Sequence, residues 1–250
     1  DEGFFQGRIM IVIAHRGASG YAPENTLEAF EKALDMGSRA FEFYVHRTAD
    51  GKLLVHHNYD FKRTAGVDKK IKDLPFAEIK KINVAKHFRP GGFVRAPLLE
   101  EVLSLIKDKA DFINLEIKND ENVYPGIEED VLEVLRPEGA LLQKVLLSSF
   151  YFPSIKKLRA LSPEARLAFL CHKLSTVLLL PALRKAKNLG CENFHLSSRI
   201  ACYLNLKVLM KSGFKVCVYT VNEKKLALKL RDRGVYGIFS NYPDILEKED

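Results

Sequence analysis

The amino-acid sequence predicts an α/β fold, a (β/α)8 barrel of the TIM-barrel class, with an antiparallel hairpin and a small insertion after strand two. Short apolar runs of β-type residues alternate with amphipathic runs, which is typical of parallel βα units. Eight such strands remain once the hairpin is set aside, and a length of 250 residues is ordinary for one barrel. The eight predicted strands are 9–15, 40–46, 111–117, 144–149, 166–171, 193–197, 215–220 and 235–240.

The first helix follows strand one and has clear signals at both ends. Asn25 or Thr26 is suited to cap its N-terminus, and Gly37 ends it. Its apolar stripe is formed by Leu27, Phe30, Ala33 and Leu34. The stripe follows the three- and four-residue spacing of one helix face, so these side chains are expected to pack against the barrel strands.

The apolar run 52–57 cannot be a barrel strand parallel to strand two. Only residues 49–51 separate the two runs, whereas a parallel crossover needs about a dozen residues. The dipeptide Asp50-Gly51 is a turn signal for a β-hairpin. We therefore expect the run to return antiparallel beside the end of strand two, which brings His57 back near residues 42–46.

Six further helices follow the later strands, and a short last helix is predicted from about residue 242. The six lie near 98–108, 126–136, 153–161, 177–189, 201–212 and 222–233. The segment 58–97 is the part that the βα repeat does not explain, and we expect it to be an inserted segment above the barrel, within one domain that spans residues 1–250. Its turn-forming residues are Pro75, Pro90, Gly91, Gly92 and Pro97.

The positive charge of the chain is concentrated around the same segment. The formal net charge is +7, and residues 57–97 hold ten Lys and Arg against four Asp and Glu, an excess of six. Such a segment beside a site raises the local concentration of anionic ligands or attracts a membrane surface, and a solvated helical face accounts for it equally well. Nucleic acid is disfavoured, because no aromatic residues interleave with the basic ones in a stripe.

Composition and cysteine use favour a cytoplasmic globular protein. Hydrophobic residues make up 47% and charged residues 28% of the chain, which is enough apolar material for a sizeable core. No apolar run approaches the ~20 residues needed to span a bilayer, and residues 1–8 have the wrong charge for a signal peptide. The four cysteines form no C-x-x-C pair and are expected to be small, reduced core residues rather than a metal cluster or a disulfide. They are Cys171, Cys191, Cys202 and Cys217.

Ionisable side chains gather at the carboxyl ends of the predicted strands, where barrel enzymes place their sites. They are His15 and Arg16 of strand one, Glu42 and His46 of strand two, Glu116 and Lys118 of strand three, and one of the hairpin histidines His56 and His57, which face opposite sides. Two histidines can exchange protons, two cations can hold an anionic group, and two carboxylates can hold a hard divalent ion. Phosphodiester cleavage needs these three functions, so the pattern predicts that chemistry.

The sequence resembles the glycerophosphodiester phosphodiesterase family in ten stretches that run in order through the chain. They are His15-Arg16-Gly17, Pro23-Glu24-Asn25-Thr26, Glu42, Thr48-Ala49-Asp50-Gly51, His57, Arg63-Thr64, Leu115-Glu116-Ile117-Lys118, Ser148-Ser149-Phe150, Tyr219-Thr220-Val221-Asn222 and Gly237-Ile238-Phe239-Ser240-Asn241-Tyr242-Pro243. The resemblance implies a (β/α)8 barrel with an inserted segment after the hairpin. It also implies hydrolysis of glycerophosphodiesters to an alcohol and sn-glycerol 3-phosphate, in lipid and glycerol metabolism, with calcium or magnesium as a divalent cofactor.

The resemblance further implies roles for individual residues. His15 and His57 match the family's acid–base pair, Arg16 and Lys118 its phosphate contacts, and Glu42 and Glu116 two of its metal ligands. The family's third ligand is an aspartate two residues after the first glutamate, and this chain has Tyr44 there. A phenol with an ordinary pKa of about 10 is a poor ligand for calcium or magnesium and is larger than aspartate, so metal binding is expected to be weakened.

Two more positions carry an amide where the resemblance implies a carboxylate. The residue after the second histidine is Asn58, and the late aspartate of the family is replaced by Asn241. Both amides keep a hydrogen-bonding oxygen. His46 is an alternative metal ligand on the face of Glu42, although imidazole suits transition metals better than calcium or magnesium.

Three functions are compatible with the sequence. The first is a metal-assisted phosphodiesterase whose activity is impaired by Tyr44. The second is a non-catalytic barrel that binds a phosphodiester or phosphomonoester through Arg16 and Lys118. The third is a lipid phosphodiesterase at an anionic membrane surface, for which the basic segment is the evidence. The preferred head group, the native metal and the oligomeric state are left open.

Overall fold

Eight parallel strands close into a barrel in the computed structural model, which describes residues 10–88, 92–120, 123–137, 139–171 and 176–247. The strands of the chain are β1 (Ile11–His15), β2 (Ala40–Arg47), β3 (Leu53–Val55), β4 (Asp60–Phe61), β5 (Val67–Lys70), β6 (Phe112–Ile117), β7 (Val145–Ser149), β8 (Arg166–Cys171), β9 (Asn193–Ser197), β10 (Lys215–Tyr219) and β11 (Gly237–Ser240). The order around the barrel is β1, β11, β10, β9, β8, β7, β6 and β2, and the pairing of β1 with β2 closes it. The predicted eight-stranded barrel is confirmed; residue 9 of its first predicted strand lies outside the described residues.

The helices alternate with the barrel strands as expected. They are α1 (Leu27–Asp35), α2 (Lys62–Ala65), α3 (Phe76–Ile79), α4 (Leu99–Ile106), α5 (Ile127–Leu135), α6 (Gly139–Lys144), α7 (Phe152–Leu161), α8 (Thr176–Asn188), α9 (Tyr203–Lys211) and α10 (Lys224–Asp232), with a 3-10 helix at Ile71–Asp73. Thr26 is the N-cap of α1, since its hydroxyl accepts a hydrogen bond from the backbone N–H of Ala29 at 3.3 Å.

Outside the segment 58–97, two details of the helix prediction were wrong. α6 was not predicted, because its six residues are too few to display a helical stripe. The short last helix expected from about residue 242 is a series of turns as far as the described chain extends. Its backbone hydrogen bonds join residues three apart, Ile245 to Tyr242 and Glu247 to Asp244, and Pro243 has no N–H to donate. Residues 248–250 lie outside the described part.

The predicted hairpin is present and returns the chain to the end of β2. β3 pairs antiparallel with β2, with Val45 opposite Val55 and Arg47 opposite Leu53. The turn between them includes Gly51 with a φ of 79°, a left-handed conformation that glycine adopts without strain. The chain therefore leaves β3 directly beside the carboxyl end of β2, where His57 follows.

The core consists of two layers around the barrel and a third, separate cluster. One layer fills the barrel interior, and a larger one packs the outer strand faces against the helices. The interior cluster contains Ile13, Ala40, Phe112, Leu146, Ala168, Cys217 and Phe239. These side chains fill the barrel towards the amino ends of its strands, as is typical of a packed barrel core.

The third cluster orders the described part of the segment 58–97. β4 and β5 form a small antiparallel sheet, and the apolar side chains of the segment pack on one another and on Leu54. They are Phe61, Ala65, Ile71, Leu74, Ile79, Val84 and Ala96. Part of the positive charge is neutralised within the segment, since Lys62 pairs with Asp68 at 3.3 Å and Lys72 with Asp73 at 2.7 Å. Pro90 and Gly91 lie outside the described residues, and the position of the segment above the barrel remains a prediction.

Cys191, Cys202 and Cys217 have free thiols. Cys191 and Cys217 are buried, Cys171 is half-buried and Cys202 is exposed, so only two of the four are core residues. Within the described ranges, no helix has the length and apolar character needed to cross a bilayer.

Replacing Gly17 by alanine is expected to destabilise the fold more than replacing Gly51 by alanine. Both glycines have positive φ, 76° and 79°. An alanine in this left-handed conformation lowers the unfolding free energy by about 1–2 kcal/mol, and both variants share this loss. A Cβ on Gly17 would lie 2.6 Å from the backbone carbon of Ala29, whereas a Cβ on Gly51 meets nothing within 4 Å. We expect Gly17→Ala to lose about 1–3 kcal/mol more of the unfolding free energy in urea denaturation. Equal losses would contradict the close packing of the His15-Arg16-Gly17 turn on α1.

Candidate active site

A cavity of about 240 Å³ opens at the carboxyl ends of the barrel strands. Seven of the side chains singled out from the sequence line it: His15, Arg16, Glu42, Tyr44, His57, Glu116 and Lys118. A second, adjoining cavity of about 290 Å³ shares His15 and Arg16 and extends past Glu24 to Asn222 and Asn241. The structure therefore brings together the groups that the sequence predicted to meet.

The register of β2 with its two parallel neighbours places four of these groups in paired rows near the carboxyl ends of the strands. His15 of β1 is opposite Glu42, and Tyr44 is opposite Glu116 of β6. Since alternate residues of a strand share a face, Glu42 and Tyr44 both point into the barrel. The hairpin adds His57, while His56 is buried elsewhere and bonds Thr64 Oγ1 at 3.1 Å. The prediction that only one of the two hairpin histidines faces the site is confirmed.

His15 is held by hydrogen bonds on both ring nitrogens. Its Nδ1 lies 2.6 Å from Asn241 Oδ1, and its Nε2 lies 3.0 Å from the hydroxyl oxygen of Tyr44. Because the amide oxygen only accepts, Nδ1 carries the proton and Nε2 presents its lone pair to the phenol. Arg16 Nε also donates to this Nε2, at 3.2 Å.

His57 has the same arrangement on its Nδ1. That nitrogen lies 3.1 Å from Asn58 Oδ1, an oxygen that also accepts a hydrogen bond from Arg63 Nε at 2.9 Å. The proton of His57 therefore sits on Nδ1, which leaves Nε2 as an acceptor. The His57 ring packs edge-on against the Tyr44 ring, with 4.6 Å between the ring centroids.

Both imidazoles are neutral in the free protein at neutral pH. Burial, together with the charge of Arg16, lowers the pKa of His15 to about 3. Burial also lowers the pKa of His57 to about 2, with further contributions from Arg16 and Lys118. Two neutral imidazoles, His15 buried and His57 half-buried, thus line a cavity that also holds the cations Arg16 and Lys118.

Arg16 is anchored by an ion-pair network that the sequence did not predict. Glu24 accepts a hydrogen bond from Arg16 Nη1 at 2.9 Å and from Arg63 Nη1 at 2.8 Å. Although burial alone would raise it, the hydrogen bond from Arg63 and the charge of Arg16 lower the pKa of Glu24 to about 2. Arg16 itself has a φ of 60°, and its backbone N–H donates to the carbonyl of Glu42 at 3.0 Å. Glu24 and Arg63 both belong to the stretches in which the sequence resembles the family, and this shared membership was the available signal for the network.

The opposite wall of the cavity holds Lys118 against Glu116. Lys118 Nζ lies 2.8 Å from Glu116 Oε1 and 4.9 Å from the centroid of the Tyr44 ring. Glu42 is buried and its Oε2 has no hydrogen-bond partner among the described residues. Burial and the neighbouring charge of Glu116 raise the pKa of Glu42 to about 8, so this carboxyl is largely protonated at neutral pH.

The donor set does not fit the calcium or magnesium ion that the resemblance implies. Glu42 and Glu116 lie in the cavity, but the phenol of Tyr44 stands where a third carboxylate was expected. Burial and the charge of Glu42 raise the pKa of Tyr44 well above its ordinary value, so the phenol stays neutral. Glu116 is already paired with Lys118. Across the described chain, no group of three or more His, Cys, Asp or Glu side chains is arranged to hold a metal, whereas calcium and magnesium take about six to eight oxygen ligands.

His46 does not replace the missing ligand. Its Nδ1 lies 3.0 Å from the hydroxyl oxygen of Tyr124 and its Nε2 lies 3.4 Å from the backbone carbonyl oxygen of His57. Both nitrogens are therefore engaged away from Glu42, which does not favour the alternative of His46 as a ligand. His195 of β9 also lines the cavity, is buried, and has no partner for its Nε2 within the described residues.

Comparison with known proteins identifies the family. The family model described as glycerophosphoryl diester phosphodiesterase matches residues 15–245. A glycerophosphodiester phosphodiesterase from Bacillus altitudinis is 35% identical over 237 residues, which cover 93% of this chain and 95% of the relative.

Two solved structures are similar over nearly their whole length. A phosphodiesterase from Oleispira antarctica, in complex with the product sn-glycerol 3-phosphate, is 28% identical with a TM-score of 0.80 and covers 95% of each chain. A glycerophosphodiester phosphodiesterase from Thermotoga maritima is 25% identical with a TM-score of 0.79 and covers 97% of this chain and 99% of its own. Because the family model spans most of the sequence and the Bacillus relative matches nearly all of it, this chain belongs to the glycerophosphoryl diester phosphodiesterase family.

Proposed function

We propose that this protein hydrolyses glycerophosphodiesters to an alcohol and sn-glycerol 3-phosphate. The observation that carries the proposal is the pair of neutral imidazoles, His15 and His57, beside Arg16 and Lys118 in one cavity. The product bound in the Oleispira structure supports the substrate class. Family membership supports the reaction, and the cavity contains the groups that the reaction needs.

The proposed mechanism uses the two histidines on opposite sides of the phosphorus. Nε2 of His15 accepts a proton from the attacking water while the new P–O bond forms. The bond to the alcohol oxygen then breaks, and His57 gives that oxygen a proton. His57 must be protonated for this step, and the negative charge of a bound phosphodiester favours its imidazolium form. Arg16 and Lys118 bind the phosphate oxygens and stabilise the charge that develops on them.

A second candidate is a barrel that binds a phosphodiester or phosphomonoester without cleaving it. The observation that favours it is the engagement of His15 Nε2 by Tyr44 and Arg16, which must be displaced before water can use that nitrogen. In this alternative the same two cations, Arg16 and Lys118, hold the anion. The two functions differ in product release and not in affinity.

We also infer a reducing, cytoplasmic location from the free thiols of Cys191, Cys202 and Cys217. Contact of the basic segment with an anionic membrane surface remains a weaker proposal, because part of its charge is paired internally. No macromolecular partner is needed for the proposed reaction.

The variants His15→Gln and His57→Gln are each expected to lower the turnover of glycerophosphocholine by about 10²–10⁴-fold, because each removes one proton-transfer group. The measurement is the rate of sn-glycerol 3-phosphate release. The exposed His87 provides the matched control, and His87→Gln should retain the wild-type rate. If the folded wild-type protein releases no product but binds glycerophosphocholine in calorimetry, and Arg16→Gln weakens that binding, the binding function replaces the hydrolytic one.

Asn241→Asp is expected to move the acid limb of the kcat/KM profile to higher pH. A carboxylate accepting from Nδ1 favours the imidazolium of His15 and so raises the pKa of His15 from about 3. Because a base is inactive when protonated, the acid limb of the variant is expected about 1–3 pH units above that of the wild type. Asn222→Asp is the control: Asn222 lines the same mouth but bonds the backbone N–H of Asn241 rather than His15, so its profile should shift less. Movement of the alkaline limb alone would assign His15 as the acid.

A further inference from the structure

We propose that this site operates without a divalent cation, and that Tyr44 takes the place of the ion both in space and as the group that positions His15. The inference rests on the proposed function only for its turnover measurements. The exclusion of the ion stands on the geometry of the cavity and can be tested on a protein with no activity.

The Tyr44 ring lines the cavity together with the two glutamates, two residues after Glu42 on β2 and opposite Glu116 of β6. The side chain is only 4% exposed. It packs against His57 at 4.6 Å between ring centroids and under Arg16, whose guanidinium carbon lies 5.4 Å from the ring centroid. Lys118 Nζ lies 4.9 Å from the same centroid and forms an ion pair with Glu116. A ring face that is covered by cationic side chains forms a wall of the cavity and offers no ligand atom to a metal ion.

The cations around the ring already have carboxylate partners. Lys118 pairs with Glu116 over 2.8 Å, and Arg16 and Arg63 both pair with Glu24. A divalent ion placed beside Glu42 and Glu116 would bring two further positive charges into a cavity that already holds Arg16 and Lys118. Uncompensated buried charge is strongly unfavourable, so the site favours an anionic ligand over a cation.

The hydroxyl of Tyr44 has a separate task. It donates to Nε2 of His15 over 3.0 Å, and Asn241 holds the opposite nitrogen over 2.6 Å. These two hydrogen bonds hold the imidazole plane in one orientation. Tyr44 therefore acts as a positioning residue for His15, and Arg16 and Lys118 take over the neutralisation of the phosphate.

The test compares the wild-type protein with Tyr44→Asp, Tyr44→Phe and Tyr124→Phe. Tyr124 is the matched control, because its buried hydroxyl bonds the imidazole of His46 over 3.0 Å outside the cavity. Isothermal titration with MgCl2, CaCl2 and MnCl2 measures ion binding directly. Release of sn-glycerol 3-phosphate from glycerophosphocholine is measured in EDTA and with each ion added.

We expect no saturable ion binding by the wild type up to about 10 mM, and a rate that EDTA leaves unchanged. Tyr44→Asp should bind an ion with a Kd of about 1 mM or tighter, the range of weak calcium sites. Tyr44→Phe should still bind no ion but should lose about tenfold in turnover, since the ring remains and the hydroxyl is gone. Tyr124→Phe should bind no ion and keep its rate within about twofold.

Several results would overturn the inference. Stoichiometric ion binding by the wild type, or a rate abolished by EDTA and restored by an ion, contradicts it while leaving the hydrolytic function intact. Failure of folded Tyr44→Asp to bind any ion shows that the tyrosine is not what excludes it. An unchanged rate in Tyr44→Phe removes the positioning role. A wild type that binds no ion and releases no product in any condition contradicts the proposed hydrolysis and supports the exclusion of the ion.

Discussion

Strand β2 lies between β1 and β6, and its register with both neighbours determines the relative positions of His15, Glu42, Tyr44 and Glu116 in the cavity. His15 is level with Glu42, and Tyr44 is level with Glu116, because parallel ladders hold their Cα partners in fixed rows. A slip of one residue in β2 would turn Glu42 and Tyr44 out of the barrel and bring apolar side chains in. The apolar layer that fills the barrel below the cavity makes such a slip costly, so the packing of the core also determines the composition of the site.

The hairpin extends the same constraint to the second histidine. β3 is antiparallel to β2, and its three described pairs fix how far the chain returns before His57 leaves the sheet. His46 then supports the turn from behind, since its Nε2 lies 3.4 Å from the His57 carbonyl oxygen. A residue that the sequence offered as a metal ligand thus contributes to the site by holding the backbone of the histidine that faces it.

Much of this arrangement was predictable, and the exceptions have physical reasons. Alternation and spacing are local properties, so the eight strands, the hairpin and the meeting of His15 with His57 could be read from the sequence. The Glu24–Arg63 pair joins two loop positions 39 residues apart, and no periodicity indicates such a contact. α6 is too short to show a stripe. The fit of an ion depends on where the Tyr44 hydroxyl points and on which partner Lys118 takes, and only coordinates provide these.

The three positions at which the chain lacks an expected carboxylate converge on the same two imidazoles. Asn241 accepts from Nδ1 of His15, Asn58 accepts from Nδ1 of His57, and Tyr44 donates to Nε2 of His15. Each change removes a negative charge within hydrogen-bond distance of a histidine and keeps a neutral oxygen in its place. Random substitutions in a protein that had lost its function would not be expected to preserve these hydrogen bonds while removing the charges. The pattern instead keeps the histidines oriented and neutral, and it leaves Arg16 and Lys118 as the counterparts of an anionic ligand.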